Sequence, residues 1–312
     1  MTGRFLEVVD AGLLSTVQDL GRPGLGALGI PAAGALDVEA LRLANALVGN
    51  PENAAALEIT LLGPTLRARG DVALAVLGGA FGPSPGHVLE LADGESVALR
   101  ASDPGGGSAR GVVAVAGGLD VPVVLGSRST CVVARFGGLH GWPLKRGDLL
   151  PVGSAGSGPR GAKPPELAWS DDVTLRAVEG PQAGLFDAGA ASRFWGSRFR
   201  LLPDSNRIGF RLSGPPVRGH ARTLEELPSE GTALGSVQIT GEGQPIVLMS
   251  ERPTTGGYPK IATAITADLG LAVRARPGAT VRFSRVTLDE ARRLWYEREE
   301  RIGRFAASLR SP

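Results

Sequence analysis

Apolar residues recur along this chain in short runs separated by glycine and proline. DVALAVLGGAF (71–81), ESVALRA (95–101), GVVAVAGGL (111–119), VTLRAVEG (173–180), GFRLSG (209–214), GSVQIT (235–240), PIVLM (245–249) and ATVRFSRVT (279–287) are of this kind. Aliphatic and β-branched runs of this length, bounded by turn residues, predict strands. The 46 glycines and 23 prolines make turns frequent. A mainly β fold of barrels or sandwiches is therefore expected, rather than a doubly wound sheet. Two segments switch to the helical period. Residues 37–48 open on Asp37, whose carboxylate can accept bonds from first-turn N–H groups, and place Leu41, Ala44, Leu47 and Val48 on one side. Gly49 and Pro51 end that helix. The second starts at Thr287, in capping-box spacing with Glu290, and continues with Leu288, Ala291, Leu294, Trp295, Ile302, Phe305 and Leu309. Its apolar stripe is expected to pack against a barrel or a partner.

A chain of 312 residues exceeds the usual size of one hydrophobic core, so two domains are expected. Gly, Ser and Pro accumulate in PVGSAGSGPRGAKPPELAW (151–169), where the hydrophobic period lapses. The reading is an N-terminal domain over 1–155, a linker over 156–169, a C-terminal domain over 170–286, and a helix with its tail over 287–312. Each half closes on a glycine-centred turn and a short strand, LKRGDLLPVG (144–153) and ARPGATVRFSRV (275–286), which suggests two related domains.

Charge and cysteine usage narrow the function classes. With 33 Lys+Arg against 31 Asp+Glu, the net charge of +2 gives no general attraction to nucleic acid. Cys131 is the single cysteine, which excludes an internal disulfide and a four-cysteine zinc site and fits a reducing compartment. The first residues lack a leader pattern and no run of about 18 apolar residues occurs; a cytoplasmic protein without a membrane segment is expected. GGGSAR (105–110) lacks the lysine of a P-loop, no GxSxG elbow is present, and His87, His140 and His220 are scattered without zinc spacing. No metal site is expected.

Three stretches carry candidate chemistry. SERPTTGGYPK (250–260) reads as a loop between strands PIVLM and IATAIT. Gly256 and Gly257 can take positive φ and let successive N–H groups converge on an anion. Thr254 and Thr255 add neutral donors, and Lys260, Arg252 and Tyr258 are the catalytic candidates, the first two adding charge. A turn that simply needs its glycines would look the same. VLGSRSTC (124–131) follows the strand-like VPVVL and groups Ser127, Ser129 and Thr130 around Arg128. That set could recognise a planar anion or cap its own turn. STVQDLGRPGLGALGIPAAGALD (15–37) is a long Gly/Pro loop with Gln18, Asp19 and Arg22, and loops of such length are usually functional or interfacial.

Taken together, TVQDLGRPGLGALGIPAAGALD, LANALVGNPENAAALEITLLGP, GGLDVPVVLGSRST, RIGFRLSGP and SEGTALGSVQITGEGQPIVLMSERPTTGGYPKIATAITADL closely resemble the KipA family, also called allophanate hydrolase subunit 2, the biotin-dependent carboxyltransferase family or PxpC, a component of 5-oxoprolinase. The resemblance runs from about residue 5 to about residue 286, and TTGGYPKIAT is its most specific motif. It implies two cyclophilin-like β-barrel domains, one per half. It further implies work within a complex. One form is an ATP-dependent 5-oxoprolinase built with a KipI-like partner (allophanate hydrolase subunit 1, or PxpB) and a lactam-hydrolase partner (PxpA). Another is a carboxyltransferase component using carboxybiotin on a separate carrier. A regulatory partner without catalysis is the third implied role. ATP would be bound mainly by the partner chains, and biotin would arrive on another protein. Matching the family pattern are Gln244, Thr254, Thr255, Gly256, Gly257, Tyr258 and Lys260, with Ser127, Arg128, Ser129 and Thr130. Asp19 and Glu230 are further acid or base candidates. Pro253 and Trp142 depart from it, standing where Gln and Arg are commoner.

Overall fold

A computed structural model of the chain describes residues 3–79, 81–83, 86–100, 107–154, 162–219 and 227–309. Residues 156–161 of the expected linker, the first two residues of GGGSAR and His220 lie outside these. The chain divides into two compact units. One gathers Met1–Arg22, Ala33–Trp169 and Glu300–Pro312, the other Pro23–Ala32 and Ser170–Glu299.

The first unit contains β1 (Arg4–Asp10), β2 (Leu14–Gln18), α1 (Val38–Leu47), β3 (Ala56–Thr60), β4 (Thr65–Arg69), β5 (Val72–Leu77), β6 (Val88–Leu91), β7 (Ser96–Ala98), β8 (Arg110–Val115) and β9 (Leu149–Val152). β7, β4, β1 and β9 pair in that order as a four-stranded sheet, and β2, β3, β8, β5 and β6 as a five-stranded one. Leu6, Val8, Leu66 and Ala68 share one core with Leu57, Ile59, Leu74, Val76, Val113 and Val115. Intervening residues of the larger sheet, among them Ala75, Leu77, Val112 and Ala114, meet Leu41, Ala44 and Leu47 of α1. β8 is consequently buried at every position. A strand covered on both faces reads as a continuous apolar run, which is why GVVAVAGGL stood out in the sequence. Each fully buried Val, Leu or Ile there contributes roughly 1.5–3 kcal/mol over its exposed state. α1 starts where expected: the Asp37 carboxylate accepts from the N–H of Ala40 at 3.0 Å.

Two expectations are corrected here. Gln18 was assigned to a long loop, yet it ends β2, opposite Ala56 of β3. VPVVL was assigned as strand-like, yet only Val124 pairs, through a single bridge to Ser127. With proline at 122 and glycine at 126, that run cannot sustain a ladder. Between β8 and β9 the chain is instead pinned by isolated bridges, Leu119 to Val152 and Cys131 to Phe136.

The second unit contains β10 (Asp172–Glu179), α2 (Ala188–Gly196), β11 (Phe199–Leu201), β12 (Gly209–Ser213), β13 (Glu230–Gly231), β14 (Ser236–Ile239), β15 (Pro245–Leu248), β16 (Thr255–Gly256), β17 (Lys260–Ala264), α3 (Leu269–Arg274) and β18 (Thr280–Arg285). Seven strands close a barrel in the order β10, β17, β14, β15, β12, β11, β18. The ring shuts through a parallel pairing of β10 with β18, Asp172 opposite Thr280. Phe194 of α2 stacks on Phe283 of β18 with ring centroids 4.6 Å apart. Asp268, almost fully buried, accepts from the backbone N–H of Arg176 at 2.8 Å and from its guanidinium at 2.5 Å and 2.9 Å.

A fourth helix, α4 (Leu288–Ser308), closes the described chain. The Thr287 hydroxyl accepts from the N–H of Glu290 at 3.2 Å, so the capping expectation holds. The expected apolar stripe is only partly used. Ile302 is the buried residue of α4 and joins the α1 core of the first unit, with Phe305 packed beside it. Leu288, Trp295 and Tyr296 are exposed. Among the described residues no helix is long and apolar enough to cross a membrane. The protein is thus mainly β, with a closed barrel and a C-terminal helix.

Candidate functional site

The strongest concentration of functional groups lies at the start of β17. Lys260 does not belong to the loop assigned to it. It is the first residue of the strand, opposite Gln238 of β14, and it is buried. Its Nζ lies 2.6 Å from Oε1 of Glu230, whose side chain is half exposed. Glu230 is held there by the two-residue ladder of β13 with β16, in which it faces Gly256 and Gly231 faces Thr255.

Gln182, which sequence reasoning missed, joins the pair. Its Nε2 donates to Oε1 of Glu230, and its Oε1 accepts from the backbone N–H of Lys260 at 3.1 Å. The hydrogen bond from Lys260, and after it the one from Gln182, holds the Glu230 carboxyl below its ordinary value of 4.5. A depressed carboxylate contributes fully above the ordinary value, and that contribution is lost as pH falls through the depressed one. Glu230 is therefore ionised at neutral pH and acts as the counter-ion of Lys260.

The glycines play another part than expected. Neither Gly256 nor Gly257 has positive φ, so the converging-amide cradle is not formed. Gly256 is extended because it pairs with Glu230 across the ladder. Its missing side chain serves close approach, since a Cβ there would meet Nε2 of Gln238 at 2.7 Å. A Cβ on Gly257 would find only ordinary contacts at 3.5 Å. Because the obstacle at Gly256 is the end of a flexible side chain, Gly256→Ala is expected to cost no more than about 1 kcal/mol, whereas a left-handed glycine would cost more. Chemical denaturation of the variant checks this.

Arg252 and Gln244 act on backbone. The guanidinium of Arg252 donates to the carbonyls of Thr232 at 3.3 Å and Met249 at 3.4 Å, and burial lowers its pKa. The Gln244 amide accepts from the N–H of Gly214 at 2.8 Å and donates to its carbonyl at 3.2 Å. Thr254 contributes its carbonyl to the N–H of Thr232 at 3.0 Å. Thr255 and Tyr258 are exposed. Glu251, next to Arg252, makes a buried ion pair of 2.6 Å with Arg207. No local pattern in the sequence marks that partner, 44 residues away.

The second cluster belongs to the first unit and centres on Asp19. Its Oδ1 accepts from the hydroxyl of Ser127 at 2.6 Å, from the hydroxyl of Ser129, and from the N–H of Gly21 at 2.7 Å. Its Oδ2 accepts from the N–H of Arg128 at 2.6 Å. The anion that the SRS turn gathers is thus the chain's own carboxylate. The Arg128 guanidinium turns to Asp120, 2.5 Å away, and to the Val121 carbonyl. Arg22 donates to the Ser129 carbonyl at 2.6 Å and lies over the Phe136 ring. Gln18 donates to the Thr130 carbonyl at 3.1 Å. Trp142, half exposed, stacks under the Arg135 guanidinium at 4.5 Å. Two non-glycine residues of this region, Leu125 and Arg135, hold left-handed backbone, with φ of 52° and 57°. Such strain persists only where surrounding contacts over-determine the fold. Among the described residues no group of three or more His, Cys, Asp and Glu could hold a metal.

Comparison with known proteins puts this geometry in context. The family model of the carboxyltransferase domain, subdomain A and B, matches residues 28–285. The C subunit of 5-oxoprolinase from Escherichia coli K12 is 40% identical over 296 residues, which cover 92% of this chain and 93% of that one. Its counterpart of the same description from Haemophilus influenzae is 35% identical, covering 93% of this chain and 94% of that one. The crystal structure of the K. lactis urea amidolyase superposes with a TM-score of 0.88 at 28% identity, covering 96% of this chain. This chain spans only 20% of that much longer one. A family model across most of the sequence, and near end-to-end identity of 40% with one relative, agree: the chain belongs to the carboxyltransferase-domain family, subdomains A and B, together with the C subunits of 5-oxoprolinase.

Proposed function

We propose that this chain is the C subunit (PxpC) of an ATP-dependent 5-oxoprolinase, acting with a KipI-like partner (PxpB) and a lactam-hydrolase partner (PxpA). The relationship that supports the substrate is the 40% identity to the E. coli protein across nearly its whole length. The geometry that supports a catalytic contribution is the buried Lys260 ammonium 2.6 Å from a half-exposed carboxylate. Burial penalises an unpaired charge, so a buried cation reached from solvent only through a half-exposed counter-ion is suited to handling an anion.

In this reading one water adds across the lactam C–N bond of 5-oxoproline, giving the amine and the new carboxylate of glutamate. A second water is consumed as ATP becomes ADP and phosphate. Lys260 stabilises negative charge on the substrate, either its carboxylate or charge developing at the lactam oxygen or its phosphorylated form. Glu230 holds the ammonium in place at 2.6 Å. ATP is held mainly by the partner chains, since this chain has no P-loop pattern. Arg252 braces the loop through the Thr232 and Met249 carbonyls, and Tyr258 and Thr255 stand exposed on the same segment, available to a ligand or a partner.

The test is co-purification of this chain with its PxpA and PxpB partners, followed by assay of ADP and glutamate from 5-oxoproline and ATP. Turnover that requires this chain supports the reading. A stable complex without turnover refutes it and favours the second reading, a carboxyltransferase component taking its carboxyl group from carboxybiotin on another protein. That alternative is favoured by the family model and by the K. lactis superposition.

A further inference from the structure

We propose that Gln182 is a positioning residue that holds the Lys260 and Glu230 side chains in register at the end of β17. The inference rests on the catalytic reading of Lys260 and deepens it.

The ladder between β10 and β17 breaks off at this point. It runs through Ala177 with Ala264, Val178 with Thr263 and Glu179 with Ala262. Continuing the register would bring Gly180 beside Ile261 and Pro181 beside Lys260. Gly180 still donates to the Ile261 carbonyl at 2.9 Å. Bonded pairs fall at Arg176 with Ile265 and at Gly180 with Ile261, so Pro181 would meet Lys260 at a non-bonded position, and the register shift of β17 against Val237 and Gln238 of β14 makes the strand irregular there. The chain turns there, and Gln182 bonds both backbone polar groups of Lys260. Its backbone N–H donates to the Lys260 carbonyl at 3.2 Å, while its side-chain oxygen accepts the Lys260 N–H. Gly180 makes this close return possible, because a Cβ there would lie 2.2 Å from the Lys260 carbonyl oxygen.

The remaining atom of the amide, Nε2, donates to Oε1 of Glu230, the same oxygen that Nζ of Lys260 contacts. One side chain therefore ties the backbone of the cation to the carboxylate of the anion. A primary amide offers an acceptor and a donor at that spacing without carrying charge. Glutamate would keep the shape but face Glu230 with like charge, and methionine would keep the volume without either bond. Among the described residues, the charged group facing Glu230 is Lys260 from β17. Gln182 presents a neutral amide, β16 presents the backbone of Gly256, and the Arg252 guanidinium is directed at the carbonyls of Thr232 and Met249.

Two readouts test the role, in the full chain and in the assembled complex. In the full chain, the Glu230 carboxyl is followed by 13C NMR as pH is lowered, its signal assigned with Glu230→Gln. Gln182→Met is expected to raise its midpoint toward the ordinary value, and Gln182→Glu to raise it further, because a donor is lost and then a like charge is added. In the complex, kcat for 5-oxoproline is expected to fall roughly 10- to 100-fold in both variants, as for a misplaced catalytic group. Variants that titrate Glu230 and turn over like the wild type would overturn the proposal. A wild-type complex without turnover, combined with the shifted midpoints, would remove the 5-oxoprolinase reading and leave the positioning role standing. Should the methionine variant fail to fold, the isosteric glutamate variant supplies both readouts.

Discussion

Lys260→Met is expected to lower kcat/KM of the assembled complex roughly 100- to 1000-fold, while the chain stays folded. The size is that of removing one preorganised donor from developing charge. The folding half of the expectation follows from an asymmetry in the pair. The Lys260 side chain is 4% exposed and that of Glu230 49%. Removing the cation leaves a carboxylate that water can solvate, and methionine fills the buried space. Removing the anion, as in Glu230→Ala, leaves an ammonium buried without its counter-ion, the costlier error. Thermal melts should therefore place Glu230→Ala below Lys260→Met, with Lys260→Met close to the wild type. An active Lys260→Met complex would remove Lys260 from the chemistry and leave the pair a structural feature of the barrel.

Asp19→Ala is expected to destabilise the first unit by about 3–5 kcal/mol, as when one partner of a buried charged network is deleted. The hydroxyls of Ser127 and Ser129 and the N–H groups of Gly21 and Arg128 all lose their acceptor at once. Asp19 is 8% exposed, so water replaces that acceptor poorly. Asp19→Asn should recover part of the loss, since its amide oxygen still accepts while its NH2 faces donors. Urea unfolding of the three proteins measures the order. If Asp19→Ala unfolds like the wild type, the turn at Ser127, Arg128 and Ser129 is available for an external anion, and its assignment as a self-contained knot fails.

The two clusters differ in how far the sequence exposed them. Lys260 was conspicuous as one of three lysines in the chain, set in a glycine-rich motif. Its surroundings still depended on Glu230 and Gln182, separated from it by tens of residues and joined to it only in the folded barrel unit. The glycines of the same motif were read by their commonest use, positive φ, because φ is a local property that a sequence can suggest. Close approach to Gln238 is not local, and it is the reason the structure supplies for Gly256. Asp19 and the SRS turn were each marked, on separate loops. The turn read either as an anion site or as a self-capping turn, and its union with Asp19 across more than 100 residues forms an internal bond network.

Hydrophobic period and hydrogen bonds within a few residues were enough to specify the mainly β character, the positions of β5, β8, β10, β12, β14, β15, β17 and β18, and the caps at Asp37 and Thr287. The glycine turns at Gly147 and Gly278, with φ of 88° and 93°, belong with them. Other features came into being only as distant segments met. β18 closes the barrel against β10, Gln18 extends β2, and the first turns of α4 leave their aromatic residues exposed. Gln182 likewise bonds the Lys260 backbone beyond the end of the β10 ladder. Each of these depends on which distant backbone supplies the missing donor, acceptor or apolar face, and the period of a single segment carries no record of its partner.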